Sequence, residues 1–401
     1  MAPKQAPSET PPPLRVATPA APQSVAGTGL PIDVVRRLLR RQICVAGSLT
    51  LREAADALAL PCEVVRECLA TADARQGLRI DAVGRHELML QLTPDGRVHA
   101  REDLGTDRYV GVAPIGERDY VRRMARQSLP RAFETEGGES LLGETILQAS
   151  SHAGCGDSLE EIGPRLLQGR PVAIVGDEAA EIGRHLAQRL RSAGGPIWSP
   201  YAVLFGRRFV PLRAAAVNSP TSHGHHPLRD RRFRLTERPL VEFGRQSSLA
   251  AAFAQAAGGV LLLNLERICP ESLREISNEV PAELQQAVQL IATMRPQAWD
   301  ALELETRRQF GAACVLAPLT LERFAAELAA ACLRRELPVA ADAAAAVWDR
   351  FVTDTRQPPL RRGDAGEMVE MALATCRFQQ QSPDVSATAL VAAASRLLPA
   401  A

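Results

Sequence analysis

The stretch Pro171-Val-Ala-Ile-Val-Gly-Asp-Glu-Ala-Ala-Glu-Ile-Gly183 (PVAIVGDEAAEIG) decides the fold. Pro171 to Val175 reads as a short apolar strand, and from Glu178 to Ser192 the apolar spacing is helical. The same alternation recurs downstream, with strand-like runs at Gly259 to Leu263, Ala287 to Thr293 and Ala312 to Leu316. Short apolar runs separated by helical segments predict a parallel α/β sheet. Beyond Thr320 the pattern is helical throughout: Leu321 to Arg335, Ala340 to Asp354, Gly366 to Gln379 and Ser386 to Leu398.

The same stretch bears on chemistry. A nucleotide-hydrolysing phosphate loop sets a lysine against the β- and γ-phosphates. The only lysine of this chain is Lys4, in a proline-rich tail, so the body of the protein cannot supply one. With 47 basic against 46 acidic residues the formal net charge is +1, and no global field draws the chain to nucleic acid or anionic lipid. The eight cysteines (Cys44, Cys62, Cys68, Cys155, Cys269, Cys314, Cys332 and Cys376) form no C-x-x-C pair and no zinc-like spacing, so no metal is expected. No apolar run approaches the 18 or so residues a membrane span requires. Free thiols and the lack of an apolar leader give the expectation of a bacterial-type cytoplasmic protein without membrane insertion. The preference for arginine over lysine, with abundant alanine, fits a GC-rich genome.

Upstream, residues 1–28 are rich in Pro, Ala, Ser and Thr and are expected to form a disordered tail. Residues 29–105 read as a winged helix: a helix over Leu30 to Gln42, a second opening at the capping box Thr50-x-x-Glu53, a third over Cys62 to Gln76, then strands at Leu78 to Val83 and His86 to Leu92 around Gly84 and Arg85. The third helix carries Glu63, Glu67 and Asp73 against Arg66 and Arg75, a poor charge balance for phosphates, so protein contacts are the preferred reading and DNA the weaker one. Residues 106–158 read as a connector whose stretch Tyr109 to Gln127 ends in an amphipathic helix, 159–318 as the α/β core and 319–401 as a helical lid.

Four segments carry a resemblance: YVGVAPIGERDYV (109–121), GGPIWSPYAV (194–203), DRRFRLTERPLVEFG (230–244) and GGVLLLNLERI (258–268). In order and spacing the chain resembles bacterial AAA+ ATPases with an N-terminal winged helix. The resemblance implies an α/β nucleotide-binding core, a helical lid and ring or partial-ring assembly.

Departures from that pattern fall on the chemical positions. The phosphate loop reads Gly176 to Gly183, keeps its first glycine, lacks lysine and hydroxyl, and adds Asp177, Glu178 and Glu181, whose charges repel a triphosphate. Where the resemblance implies a Mg²⁺-binding Asp followed by an acidic residue, the chain has Asn264 and Leu265, with Glu266 one position on. The polar sensor position offers only Thr293, and the lid's sensor arginine falls near Gly366. Arg307 and Arg308, just before the last core strand, occupy the place of trans-acting arginine fingers; two solvated arginines at a helix end is the alternative.

The histidine cluster His223, His225 and His226 reads as a loop insertion rather than a metal site. The run Arg229 to Arg234 reads as structural or interfacial rather than as a nucleic-acid contact. Together these features predict a non-catalytic AAA+ pseudo-ATPase: a structural or regulatory subunit, with an active relative or another copy as partner and no cofactor. The alternatives are a winged-helix DNA-binding regulator that dimerises through its AAA+ body, and an unconventional ATPase that takes ATP and Mg²⁺.

Overall fold

A computed structural model describes residues 17–70, 77–83, 87–135, 137–152, 156–212, 229–243, 248–266, 280–311, 313–338, 340–352, 360 and 363–398. Arg75, Gly84, Arg85 and the histidines 223, 225 and 226 lie outside them.

The N-terminal module runs α1 (Ile32–Ala46), β1 (Ser48–Thr50), α2 (Leu51–Leu58), α3 (Cys62–Leu69), β2 (Leu78–Val83), β3 (Glu87–Leu92) and α4 (Pro94–Thr106). The strands form an antiparallel sheet in the order β1-β3-β2. Thr50 caps α2 as expected: its hydroxyl accepts from the Glu53 N–H, and the Glu53 carboxylate accepts from the Thr50 N–H. Two elements escaped the sequence reading. Strand β1 has three residues, too few for a periodic signal, and α4 carries only Gly96 and Ala100 as buried residues.

The reading of residues 1–28 as a tail is corrected over its described part. Val25, Thr28 and Leu30 are buried in the module's core, the Val25 N–H donates to Glu67 on α3 (2.8 Å), and Asp230 N–H donates to Pro19 C=O (2.9 Å). Composition points to disorder, but Pro19, Pro22, Val25 and Thr28 are buried against the folded modules.

The connector has its expected amphipathic helix before Gln127, and is corrected in the rest. It contributes β4 (Ile115–Gly116), α5 (Glu117–Arg126), α6 (Leu129–Phe133) and α7 (Gly138–His152). On α5, Tyr120, Val121 and Met124 enter the core, and on α7 Leu142, Ile146 and Ala149 do so at helical spacing. Glycines and carboxylates hid a helix whose apolar stripe is one residue wide.

After α8 (Gly163–Leu167) come β5 (Val172–Val175), α9 (Ala179–Ala193), β6 (Ile197–Pro200), β7 (Ala202–Phe205), β8 (Arg208–Pro211), β9 (Phe233–Thr236), β10 (Leu240–Phe243), α10 (Leu249–Ala256), β11 (Val260–Asn264), α11 (Ala282–Gln286), β12 (Gln289–Met294), α12 (Pro296–Ala301), α13 (Leu304–Phe310) and β13 (Ala313–Val315). Five strands make one parallel sheet in the order β10-β11-β12-β5-β13. The expected parallel α/β core is present. Strands β5 and β12 are buried along their whole length, as parallel strands covered on both faces must be. Helices α7, α8 and α9 cover one face, and α5 and α10 the other. Strand β10 was missed because it is an edge strand whose Glu242 points outward to Arg184 (2.6 Å).

The hairpin β7–β8, joined to β4, carries Phe209 into the N-terminal core. There it stacks on Tyr109 (5.3 Å between centroids) beneath the guanidinium groups of Arg37 and Arg41. The C-terminal domain comprises α14 (Leu321–Leu333), α15 (Ala343–Val352), α16 (Asp364–Phe378) and α17 (Ala387–Leu397) around its own core of Phe324, Leu328, Val347, Phe351, Met368 and Leu390.

Candidate functional site

The carboxyl ends of β5, β11 and β12 converge, and five of the sequence-predicted positions meet there. Gly176, Asp177 and Glu178 leave β5; Asn264 ends β11 and Thr293 lies in β12, paired in register. In open α/β sheets this is where ligands bind.

The eight-residue loop expected over Gly176–Gly183 is not a loop. Only Gly176, Asp177 and Glu178 connect strand to helix, and α9 begins at Ala179. Gly183 is therefore inside the helix, where it allows α9 to lie against the sheet: a Cβ there would sit 2.4 Å from Thr293 Cγ2. A phosphate cradle needs unspent backbone N–H groups. Here the Gly176 N–H donates to Met294 C=O (2.9 Å), Ala179 N–H to Gly176 C=O (3.2 Å), and the Glu181 and Ile182 N–H groups to Glu178 C=O (3.1 Å each). Leu316 closes over the turn, 2.8 Å from where a Cβ on Gly176 would be. Helix-favouring Ala-Ala after the turn is the sequence signal that the loop would close up.

The β11 end is equally committed. The Asn264 side-chain oxygen accepts from the Glu266 N–H (3.1 Å), an Asx turn, and Glu266 is held by Arg295, whose backbone N–H (3.0 Å) and Nε (2.8 Å) both donate to it. Thr293 is buried, and its hydroxyl donates to Leu263 C=O (3.4 Å). Arg295 was not singled out in the sequence; its place one residue beyond β12 is the signal that would have found it.

Between the start of α9 and the C-terminal domain lies a cleft of about 890 Å³. Glu178 and Glu181 meet Glu327, Asp364, Glu367 and Glu370 there, six carboxylates against Arg334, Arg377 and His185. Glu370 is paired with Arg335, and Glu327 accepts from the Gly363 N–H (3.3 Å). Gly366, at the place of the implied sensor arginine, lines the same cleft and offers no side chain. Asp364, Glu367 and Glu370 recur every three residues on α16, a legible acidic face that the sequence reading left aside. The resemblance noted in the sequence implies ATP with Mg²⁺ at this place, and the residues present do not fit it. The turn is only three residues long and brings neither lysine nor hydroxyl, and the carboxylates of the cleft repel polyphosphate.

Arg307 and Arg308 sit on α13. Arg307 is turned onto the end of the preceding helix, α12: Nε donates to Leu302 C=O (3.1 Å), Nη2 to Asp300 C=O, and the guanidinium lies over Trp299 (5.6 Å). Arg308 is exposed and has no ion pair among the described residues.

The run Arg229–Arg234 is a seam between modules, as expected for a structural role. Arg231 reaches α2, with Nη1 to Asp56 (2.6 Å) and Nη2 to the carbonyls of Ala55 (3.3 Å) and Leu60 (2.9 Å). Arg232 is buried with Asp230 (2.8 Å) and donates to Thr28 C=O (2.8 Å). Arg229 lies over Trp198 at 4.2 Å. Among the described residues no group of three or more His, Cys, Asp or Glu is arranged to hold a metal ion. No described helix is long and apolar enough to cross a membrane.

No protein-family model and no curated protein matches the chain. Among solved structures it is similar to PCH-2 of C. elegans, an AAA+ ATPase, at 10% identity and a TM-score of 0.24, over 65% of this chain and 69% of that one. A likeness of that extent carries no functional argument.

Proposed function

We propose that this chain is a non-catalytic AAA+-type protein that acts through protein contacts, as a structural or regulatory subunit of an active relative or of its own assembly. The observation that carries the reading is the three-residue turn Gly176–Glu178, whose first N–H is spent on Met294 C=O and whose Glu178, with Glu181 on the helix that follows, faces the cleft beside the C-terminal domain. Parallel core, C-terminal helical domain and family-like segments remain, while Gly176, Asn264, Glu266 and Thr293 bond within the fold and Gly366 offers no side chain.

The same reading makes Arg308, rather than Arg307, the arginine free to enter a neighbouring subunit's site. DNA binding through α3 is the weaker reading. Of that helix's outward side chains, Arg66 is paired with Glu63 (3.5 Å) and Glu67 is taken by the strap at Val25. Neither arrangement offers a phosphate an unengaged cation.

Calorimetric titration of the purified protein with ATP and Mg²⁺, with ADP as control, tests the reading. No heat at millimolar nucleotide, and no phosphate release above a mock preparation, is the expected result. Micromolar binding would show that the turn opens, and hydrolysis above the mock would end the proposal.

A further inference from the structure

Arg118, Arg122 and Arg126 recur every four residues along α5, which places them on one face of that helix. The face borders an open groove of about 1300 Å³ at the amino ends of β5 and β12, on the side of the sheet away from the acidic cleft. Arg131 and Arg170 complete its rim, and Ala125, Pro171, Pro281 and Ala282 supply the accessible apolar part of its floor. Arg122 is paired with Asp119 (2.5 Å) and Arg131 with Glu134 (2.5 Å). Arg118, Arg126 and Arg170 are exposed and carry no ion pair among the described residues.

We infer that this groove receives an acidic, amphipathic segment of a partner protein. Its volume exceeds the roughly 300–1,000 Å³ of small-molecule sites. Arg118 and Arg126 stand eight residues apart, about 12 Å along the helix, too far to converge on a single small anion. That spacing matches carboxylates one and two turns apart on a facing helix, whose apolar side would meet the floor.

Nucleic acid fits less well. Glu117, Glu134 and Glu283 interrupt the rim and repel a continuous phosphate backbone, and the one aromatic ring in the lining, Phe253, is 1% exposed and offers no face for base stacking. A segment mixing carboxylates with apolar and occasional basic residues satisfies all of these side chains together. The inference does not depend on whether nucleotide binds elsewhere.

Fluorescence anisotropy with the full chain tests it, using a labelled helical peptide of alternating Glu and Leu turns as probe. The comparison ligands are a Lys/Leu peptide and single- and double-stranded DNA of equal charge. Expected are micromolar binding of the Glu/Leu peptide at 50 mM salt, weakening about tenfold at 300 mM, and binding at least tenfold weaker still for the variant Arg118→Glu/Arg126→Glu/Arg170→Glu. The neutral variant Arg118→Gln/Arg126→Gln, expected to weaken binding by a smaller factor, keeps the test readable if the charge-reversed protein does not fold. Absence of peptide binding, equal affinity in folded variants, or tighter binding of either DNA than of the peptide overturns the inference.

Discussion

At the scale of single residues, burial sets the chemistry of several groups that a sequence alone presents as ordinary. Arg238 is 1% exposed and makes no ion pair among the described residues; desolvation pushes its guanidinium down to about 10, and it is held by the carbonyls of Gly194 (2.9 Å), Gln127 and Gly258 (2.5 Å). It ties the ends of α9, α5 and α10 together. Cys68, on the inner face of α3, is driven the other way: burial pushes its thiol up to about 11, Glu67 adds to the rise and Arg36 opposes it. Because the folded-state value lies above the unfolded one, the associated stability is present below about pH 9 and is lost as pH rises through 11. The denaturation midpoint is therefore expected to fall between pH 9 and 11, and to fall less in Cys68→Ala. Parallel midpoint-versus-pH curves for the two proteins would remove Cys68 from this account. Cys332, also raised by burial, leaves a residual slope in the variant.

At the scale of elements, the connection from β5 to α9 shows how one turn changes a site without changing a fold. Two helical glycines near the cleft separate packing from propensity. At Gly183 a Cβ would meet Thr293 at 2.4 Å and Leu262 at 3.3 Å, so Gly183→Ala is expected to destabilise by about 1–2 kcal/mol, overpacking outweighing the roughly 1 kcal/mol helical preference for alanine. At Gly366 nothing lies within 4 Å, and Gly366→Ala is expected to stabilise by about 0.5 kcal/mol or more. Urea unfolding of both variants checks the opposite signs; a stabilised Gly183→Ala would mean that α9 does not lie against β12 as described. The long apolar runs of β5, β11 and β12 were readable because parallel strands buried on both faces need nothing but apolar residues. The short or half-exposed β1, β10 and α7 were not, because their burial is set by neighbours distant in sequence.

At the scale of the whole molecule, the N-terminal module is fastened to the core by three devices: Phe209 from the β7–β8 hairpin, Arg231 on α2, and the strap around Val25 and Thr28. Arg231 alone makes three hydrogen bonds across this seam. Removing a charged donor of this kind costs about 2–3 kcal/mol, drawn from domain docking rather than from either core. In Arg231→Ala the unfolding of the N-terminal module is expected to separate from that of the core in calorimetry, with proteolysis concentrated at the seam. A single transition with unchanged midpoint would show that the other two contacts suffice. The acidic cleft and the arginine-rimmed groove lie on opposite sides of the same sheet, so a net charge of +1 conceals two fields of opposite sign.

The sequence by itself determined the alternation of strand and helix, the helical C-terminal domain, the capping box at Thr50 and the absence of a lysine from the body of the chain, because each is local: a period, a hydrogen-bonding pair three residues apart, a residue type. Only the tertiary structure decided that the Gly176 turn closes on Met294 and Leu316, that Arg295 takes Glu266, that Arg307 turns onto α12, and that the proline-rich N-terminal stretch packs from Pro19 onward. In each case the partner lies tens to more than a hundred residues away or on another element, and burial fixes which charge or N–H remains available for binding.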